Sequence, residues 1–269
     1  MSALAVPSAD ASAAPSAQAA KVVIEAVNVT KRFSESVIAV EGASFSVEKG
    51  SFVSLVGPSG CGKSTLLRLI AGLIPMTSGT LTVNGREVDA PRKDVGMMFQ
   101  RPTLLEWRTA VENVLLPTEM TRKPTTDDKK RAIELLRMTG LKDFEFAFPR
   151  QLSGGMQQRV ALARLLQTGA EILLLDEPFG ALDEFTRERL NLELLRIVDE
   201  IRATTLFVTH NISEAIFLAD RVMVMTPRPG RLAQIVDVPF RRPREISLLQ
   251  SPEFNELVTE VRAILGAGA

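Results

Sequence analysis

Apolar runs separated by turn residues dominate the first third of the chain, and they predict β-strands. The runs cover residues 22–29, 43–47 and 51–56, and a further run at 81–83 leads into the dipeptide Asn84-Gly85. Asn-Gly favours the positive φ angles that a two-residue hairpin turn needs. We therefore expect the chain to open as an antiparallel sheet.

Helical periodicity alternates with strand-like runs in the rest of the chain. A helix is predicted from Lys63, and two more are predicted near residues 109–116 and 127–138. Apolar strand-like runs are predicted at 95–99, 172–176, 205–209 and 222–225. Strands that alternate with helices are typical of a parallel sheet covered by helices on both faces.

The domain organisation follows from changes in composition. Residues 1–20 are almost entirely Ala, Ser and Pro, which predicts a disordered tail rather than a secretory signal. No strand-like run lies between Arg101 and Gln151, so we expect a helical insertion over about 101–168. One domain is expected over 21–240, followed by a helical extension over 241–269, in which residues 252–265 predict an amphipathic helix.

Composition and charge narrow the classes of function. The 269 residues include 32 basic and 32 acidic side chains, so the formal net charge is zero, which argues against nucleic acid as a partner. The basic run 241–244 is expected to be a solvated loop, with a local binding patch as the alternative. A single cysteine excludes an internal disulfide, and no apolar run approaches the roughly 18 residues of a membrane span, so we expect a soluble protein.

Residues 57–65, GPSGCGKST, match the phosphate-binding pattern G-x-x-x-x-G-K-[ST] between a predicted strand and a predicted helix. The glycines let backbone N–H groups converge, and the helix N-terminus adds partial positive charge. The predicted ligand is a nucleoside triphosphate. Lys63 would reach its β- and γ-phosphates, and Ser64 would offer a hydroxyl to Mg²⁺. The predicted contacts are Gly57, Ser59, Gly60, Cys61, Gly62, Lys63, Ser64 and Thr65.

Two carboxylates end the apolar run 172–175. Asp176 is predicted to hold the metal, directly or through water, and Glu177 to act as the general base for an attacking water. Taken alone, such a run is equally consistent with a core strand that has a solvated end. Together with residues 57–65 it favours nucleotide hydrolysis.

A second Gly-rich helix start, Leu152-Ser153-Gly154-Gly155-Met156, precedes this strand. In combination, these motifs resemble the nucleotide-binding subunits of ATP-binding cassette (ABC) transporters, whose signature is LSGGQ. Met156 stands at the fifth position, and Gln157 follows it. The resemblance runs from residue 22 to 225, with the motifs in the family's order.

The resemblance assigns roles to further residues. Gln100 in MMFQ matches the Q-loop, which senses the metal and the γ-phosphate, and residues 180–183, GALD, match the D-loop of the dimer interface. His210 in FVTHN matches the switch histidine, although a lone histidine at a strand end is more often structural. Phe33 stands where the family places an aromatic ring against adenine, with a core phenylalanine as the alternative.

The family fold implied is an α/β P-loop NTPase, with a RecA-like parallel-sheet core, an antiparallel β subdomain and an inserted α-helical subdomain. Two chains, identical or similar, are expected to pack head to tail around two ATP, each ATP lying between the P-loop of one chain and the signature of the other. Glu177, His210, Gln100 and Lys63 are the expected catalytic residues. Ser64, Gln100 and Asp176 would hold Mg²⁺, and Ser153, Gly154, Gly155 and Asp183 would complete the ATP site.

The resemblance is strongest to ATPase subunits of bacterial importers for nitrate, sulfonates and taurine. It implies transmembrane permease partners, a periplasmic or lipid-anchored solute-binding protein acting indirectly, and a peripheral position on the cytoplasmic face of the inner membrane. Residues 101–117 are the predicted permease contact, with Trp107 as an anchor or, alternatively, a core residue of the insertion.

Three other classes of protein share part of this pattern of motifs. A soluble ABC ATPase, such as an iron–sulfur assembly scaffold, fits the chain length. DNA-repair ABC proteins are disfavoured, because the chain has no coiled-coil insertion and no basic excess. A small P-loop kinase or GTPase is disfavoured, because the chain has no Asn-Lys-x-Asp motif and the segment 152–156 would have no purpose.

Overall fold

The computed structural model describes residues 21–180 and 182–267, and the predicted tail over 1–20 lies outside them. The strands are β1 (Val22–Ser34), β2 (Val37–Glu48), β3 (Phe52–Val56), β4 (Ser78–Val83), β5 (Arg86–Glu87), β6 (Val95–Met98), β7 (Ile172–Asp176), β8 (Thr204–Val208), β9 (Arg221–Met225) and β10 (Leu232–Asp237). The helices are α1 (Lys63–Ile70), α2 (Ala110–Glu119), α3 (Thr126–Met138), α4 (Gly154–Gln167), α5 (Glu184–Ile201), α6 (Ile212–Leu218) and α7 (Pro252–Ala267).

The strands form two sheets. The first is antiparallel, with the order β2-β1-β4-β5, and the second has the order β10-β9-β3-β8-β7-β6. In the second sheet β3 pairs in parallel with β8 and β9, and β7 pairs in parallel with β6 and β8. The predicted α/β class, a parallel sheet beside an antiparallel one, is confirmed.

β3 does not belong to the opening antiparallel sheet, contrary to our expectation. It lies in the middle of the parallel sheet, and each of its five residues is buried. A strand that is buried on both faces needs a sheet covered on both sides, as parallel sheets are. Its apolar continuity, rather than its position early in the chain, decides where it packs.

The predicted hairpin turn joins β4 to β5. Asn84 and Gly85 have φ angles of 49° and 70°, as a turn with two left-handed central residues requires. The Asn84 side chain donates to Asp94 Oδ2 at 2.9 Å, and Arg92 donates to both oxygens of the same carboxylate. Asp94 directly precedes β6, so this carboxylate joins the antiparallel sheet to the parallel one.

Helices fill the segment between β6 and β7, in which the described residues contain no strand. α2 and α3 both begin with a capping box, formed by Thr109 with Glu112 and by Thr125 with Asp128. Hydrogen bonds from Thr109 hold the pKa of Glu112 below its ordinary value. α4 packs against α2 and α3 and carries the signature segment at its start.

The basic run 241–244 is not a solvated loop, which corrects our expectation. Arg244 is buried and donates to the carbonyl oxygens of Ile216 and Phe217 at the end of α6. Arg242 donates to Asp220 Oδ2 at 2.8 Å and to Asp199. Burial lowers the pKa of Arg244 to about 10. These arginines fasten the C-terminal extension to the parallel-sheet domain.

Two features of the C-terminal part complete the fold. The predicted terminal helix is α7, which contacts α6, β9 and β10. β10 was not predicted from the sequence; it pairs antiparallel with β9 and forms one edge of the second sheet. Within the described residues, no helix combines the length and the apolar character that crossing a bilayer would require.

Candidate functional site

Four parallel strands deliver the chemistry-bearing residues to one edge of the sheet. The P-loop follows β3, Gln100 follows β6, Asp176 ends β7, and His210 follows β8. Because these strands run in the same direction, the residues after them meet at the same edge of the sheet. The candidate site is therefore a consequence of parallel topology.

The P-loop folds around the side chain of Lys63. The Nζ atom donates to the carbonyl oxygens of Gly57 at 2.8 Å and Pro58 at 2.9 Å, and it lies 3.8 Å from Cys61 Sγ. An ammonium group has three donors, so a phosphate oxygen could take the place of the sulfur. Gly62 has φ +106°, and a Cβ there would lie 2.3 Å from Ala39 O, so the loop requires glycine at this position.

A cleft opens above the P-loop and gathers most of the predicted nucleotide contacts. Of the predicted residues, those that line it are Phe33, Ser59, Gly60, Gly62, Lys63, Ser64, Thr65, Gln100 and Glu177. Gly57 lies beneath the cleft as an acceptor for Lys63. Cys61 is 1% exposed and packs in the core, so its thiol does not face the cleft.

Ser64 and Asp176 form a hydroxyl–carboxylate pair beside the cleft. Ser64 Oγ donates to Asp176 Oδ1 at 2.7 Å, and Asp176 is buried. Burial raises the pKa of Asp176, while the hydrogen bond from Ser64 opposes that shift. Hydroxyl and carboxylate oxygens are the ligands that Mg²⁺ prefers, so this pair fits the predicted metal role.

A second cluster surrounds the carboxylate of Glu177. Gln100 Nε2 donates to Glu177 Oε2 at 3.1 Å, and His210 Nδ1 lies 3.5 Å from the same oxygen. Glu177 has φ 45°, a conformation that non-glycine residues rarely adopt, and its N–H donates to Val208 O at 3.0 Å. The strained turn thus directs the side chain towards Gln100 and His210.

The structure excludes the structural alternatives for two of these residues. Half of the His210 side chain, 54%, is exposed beside Glu177, so it is not a core histidine. Phe33 is 59% exposed at the rim of the cleft, with Lys31 Nζ 5.1 Å from the centre of its ring, so it is not a core phenylalanine. Both positions are compatible with the predicted roles.

The signature segment lies outside the cleft. Ser153 is the N-cap of α4, and Ser153 and Gly154 are exposed. A Cβ on Gly155 would lie 2.9 Å from Leu182 Cδ2, so the signature start packs closely against the segment before α5. Asp183 caps α5, where hydrogen bonds from Thr186 lower the pKa of its carboxyl group. None of the four residues predicted to complete the ATP site lines the cleft of its own chain.

Sequence reasoning missed three residues that the structure places around the site. Arg228 lines the cleft and donates to Gly60 O at 3.1 Å, and Gly230 lies so close that a Cβ on it would be 1.8 Å from Cys61 O. Gln158 donates to the backbone oxygen of Gln100 at 2.7 Å. In the sequence, Arg228 and Gly230 belong to the segment PRPGRL, and Gln158 is the second glutamine after Met156. Neither stretch of sequence indicates which distant segment it contacts.

Comparison with known proteins agrees with the geometry of the cleft. A family model described as ABC transporter matches residues 40–180. The taurine import ATP-binding protein of Rhizobium johnstonii is 46% identical over 239 residues, which cover 87% of this chain and 91% of that protein. The nitrate import ATP-binding protein of Synechococcus elongatus is 43% identical over 227 residues, 83% of each chain.

A solved structure has the same fold. It is a dimeric ATP-binding cassette in a post-hydrolysis state, bound to ADP and Pi. Its TM-score is 0.72 at 32% identity, and the match covers 81% of this chain and 100% of that chain.

Proposed function

The chain belongs to the ABC transporter family, and from this premise we propose that it is the ATP-hydrolysing subunit of an importer, working as a head-to-tail dimer with a membrane permease. One observation carries the proposal. Ser64, Gln100 and Glu177 line one cleft, with Asp176 bonded to Ser64 and His210 beside Glu177. The signature start at Ser153 is exposed outside this cleft. A second chain is therefore needed to bring a signature segment to this cleft.

Hydrolysis in this proposal depends on the carboxylate of Glu177. It accepts a proton from the attacking water, whose oxygen bonds to the γ-phosphorus while the bond to the ADP oxygen breaks. Gln100 donates to one oxygen of this carboxylate at 3.1 Å, and His210 Nδ1 lies 3.5 Å from the same oxygen. Glu177 is only 22% exposed, so few competing waters reach it.

The other cleft residues bind and orient the triphosphate. Lys63 and the backbone N–H groups of the P-loop take the β- and γ-phosphates, and Phe33 stacks on the adenine ring. Ser64, Asp176 and the amide oxygen of Gln100 would hold Mg²⁺, which neutralises phosphate charge when it is bound. Gln100 Nε2 already donates to Glu177, so its amide oxygen remains the atom available to a cation.

The helical insertion offers a surface for the permease. Trp107 is 74% exposed, which removes the alternative of a core residue, and Phe146 is 69% exposed. Backbone hydrogen bonds from Ala110 to Ala147 and from Val111 to Glu145 bring the two segments together. Exposed aromatic side chains on adjacent segments are typical of protein–protein contacts. Phe148, two residues after Phe146, is also exposed. We call Trp107, Phe146 and Phe148 the aromatic surface.

Import of a small solute of the taurine, sulfonate or nitrate kind rests on the relatives. Two proteins that import taurine and nitrate align over more than four fifths of this chain at 46% and 43% identity. The permease would hold this subunit at the cytoplasmic face of the membrane, and a solute-binding protein would deliver the solute on the other side. The rival function is a soluble ABC ATPase that assembles only with soluble proteins.

The first test is a pull-down of tagged Glu177→Gln with Mg-ATP from detergent-solubilised membranes of the native cell. Glutamine keeps the shape of the side chain but cannot accept the proton, so ATP stays bound and the complex accumulates. We expect a multi-span membrane protein in equimolar amount, identified by mass spectrometry. Recovery of soluble partners alone, with the protein absent from the membrane fraction, would favour the rival function.

Lys63→Ala is the matched control. It removes the cation of the P-loop and is expected to impair ATP binding while leaving the aromatic surface intact. In solution, Glu177→Gln should elute as a dimer with ATP, whereas Lys63→Ala should stay monomeric. A monomeric Glu177→Gln protein at saturating ATP would contradict the head-to-tail arrangement.

A further inference from the structure

Gln158 on α4 makes a direct bond to the loop that carries Gln100. Its Nε2 atom donates to the backbone oxygen of Gln100 at 2.7 Å, across 58 positions of sequence. Gln158 is 4% exposed, and its own amide oxygen has no partner among the described residues. The donor side chain is buried although Gln100 is exposed, so the bond is partly shielded from water and ties the loop to α4.

A second side chain of α4 fastens the next part of the same loop. Arg164 donates to Pro102 O at 2.7 Å and to Thr103 O at 2.9 Å. Residues 158 and 164 are about 9 Å apart along a helix axis, so the loop is held at two separated points. Segment 100–103 must then follow α4 when the helix moves.

The loop connects α4 to the proposed general base. Gln100 accepts from Gln158 through its backbone and donates to Glu177 Oε2 through its side chain at 3.1 Å. α4 begins at Ser153, the exposed N-cap of the signature segment. A continuous set of contacts thus runs from the signature start of one chain to Glu177 of the same chain.

The two ends of this set of contacts belong to different ATP sites of the proposed dimer. In the head-to-tail dimer of the proposed function, on which this inference rests, Ser153 faces the partner's ATP while Glu177 acts on the chain's own ATP. We propose that Gln158 is a positioning residue that couples the two ATP sites. Binding of ATP at the partner's site places α4, and Gln158 then places Gln100 against Glu177.

The experiment is steady-state ATP hydrolysis by the dimer over a range of ATP concentrations. Wild type is expected to show a Hill coefficient well above 1, because each site is completed by α4 of the other chain. Gln158→Met keeps the length of the side chain but cannot donate, so we expect a Hill coefficient near 1 and a kcat about tenfold lower. An unchanged Hill coefficient, or a value near 1 for wild type, would overturn the proposal.

Gln157→Met is the matched control on the same helix. Gln157 donates to Pro149 O and Leu152 O, both within the helical insertion, and in the described part of the chain its side chain makes no hydrogen bond to the loop that carries Gln100. Its variant should therefore keep the cooperativity of wild type. Equal thermal unfolding temperatures of the two variants would exclude a folding defect as the cause.

A double-mutant cycle checks that Gln158 acts through Gln100. In a Gln100→Ala background, Gln158→Met should produce no further change in the Hill coefficient. An additive effect would overturn the proposed route. Dimer formation by Glu177→Gln with ATP distinguishes a failure of the proposed function from a failure of this inference. A missing dimer refutes the proposed function. A dimer, together with unchanged cooperativity in Gln158→Met, refutes only the role of Gln158.

Discussion

Single residues around the P-loop are constrained by backbone packing as much as by nucleotide chemistry. Gly230 is the clearest case, since its backbone touches the P-loop at Cys61 and β2 at Ala39. Its N–H donates to Ala39 O, and its own oxygen accepts from Glu41. The segment between β9 and β10 therefore lies between β2 and the P-loop and packs against the P-loop.

Gly230→Ala should therefore weaken ATP binding, although residue 230 has no predicted contact with the nucleotide. A Cβ would lie 1.8 Å from Cys61 O and 2.8 Å from Met225 Cε, so the P-loop or its support must shift. We expect a loss of about 1–3 kcal/mol of stability, as for overpacked sites, and roughly tenfold weaker binding of a fluorescent ATP analogue.

Gly266→Ala is the control for this prediction. Gly266 lies in α7, and a Cβ added there would meet no atom of the described residues within 4 Å apart from its chain neighbours and the helix's own backbone. Alanine should therefore be neutral or stabilise the helix by up to about 1 kcal/mol. Wild-type affinity for the analogue in Gly230→Ala would show that the P-loop does not depend on this support.

Among the helices and strands, a few polar contacts join elements that belong to different parts of the fold. Asp94 links the β4–β5 turn to the start of β6, and Arg244 links the C-terminal extension to α6. Hydrogen bonds from Arg92 hold the pKa of Asp94 at about 2, below its ordinary value. The contact between the two sheets is therefore stronger when this carboxyl group is ionised.

Asp94→Asn should destabilise the protein in a pH-dependent way. The pKa is lower in the folded state than the value of about 3.9 expected in the unfolded chain, so the contribution is present above about pH 4 and is lost as the pH falls towards 2. Because the Asp94 side chain is 26% exposed, we expect only about 1 kcal/mol near neutral pH.

Urea unfolding from about pH 7 down to about pH 3 measures this contribution, as the difference in the free energy of unfolding between wild type and Asp94→Asn. The difference should shrink as the pH falls. Asp89→Asn, which removes an exposed carboxylate of the same loop, should show little difference at any pH. A difference for Asp94→Asn that is independent of pH would mean that ionisation is not its origin.

In the whole molecule, the two proposed functional surfaces lie on different parts of the chain. The cleft belongs to the carboxyl edge of the parallel sheet, and the aromatic surface belongs to the helical insertion. The loop after β6 passes from Gln100 in the cleft towards Trp107 on that surface. The proposed partner contact and the proposed catalytic site are therefore adjacent in the chain, and we expect single substitutions to affect one without the other.

Trp107→Ala should strongly weaken association with the permease and leave ATP hydrolysis by the isolated subunit unchanged. The side chain is 74% exposed, so its removal leaves no core cavity. Truncation of a central aromatic anchor typically costs at least about 2 kcal/mol of binding, or about thirtyfold in affinity. Co-purification with the membrane fraction measures the effect.

Met120→Ala is the matched control, because Met120 is 80% exposed at the other end of α2, away from the aromatic surface. It should leave co-purification unchanged. Retention of the permease by Trp107→Ala, or loss of it by both variants, would contradict the placement of the contact.

The sequence alone predicts the turns, strands and motifs that neighbouring residues form. The P-loop pattern, the Asn84-Gly85 turn and the carboxylates after the apolar run 172–175 each depend on neighbouring residues, and the structure forms the expected turn and strands there. The alternation of strands and helices further implied a parallel sheet. Parallel strands all end at one edge, so the meeting of Lys63, Glu177 and His210 could be anticipated.

The placement of strands and the pairing of residues far apart in the sequence were determined by the tertiary structure. β3 joined the parallel sheet because burial on both faces outweighs its position early in the chain, and β10 formed because β9 offered an edge. Gln158 meets Gln100 across 58 positions, and Arg228 meets Gly60 across 168. Such pairs leave no periodic signal in the sequence, because packing of whole elements, rather than local conformational preference, brings their atoms within hydrogen-bonding distance.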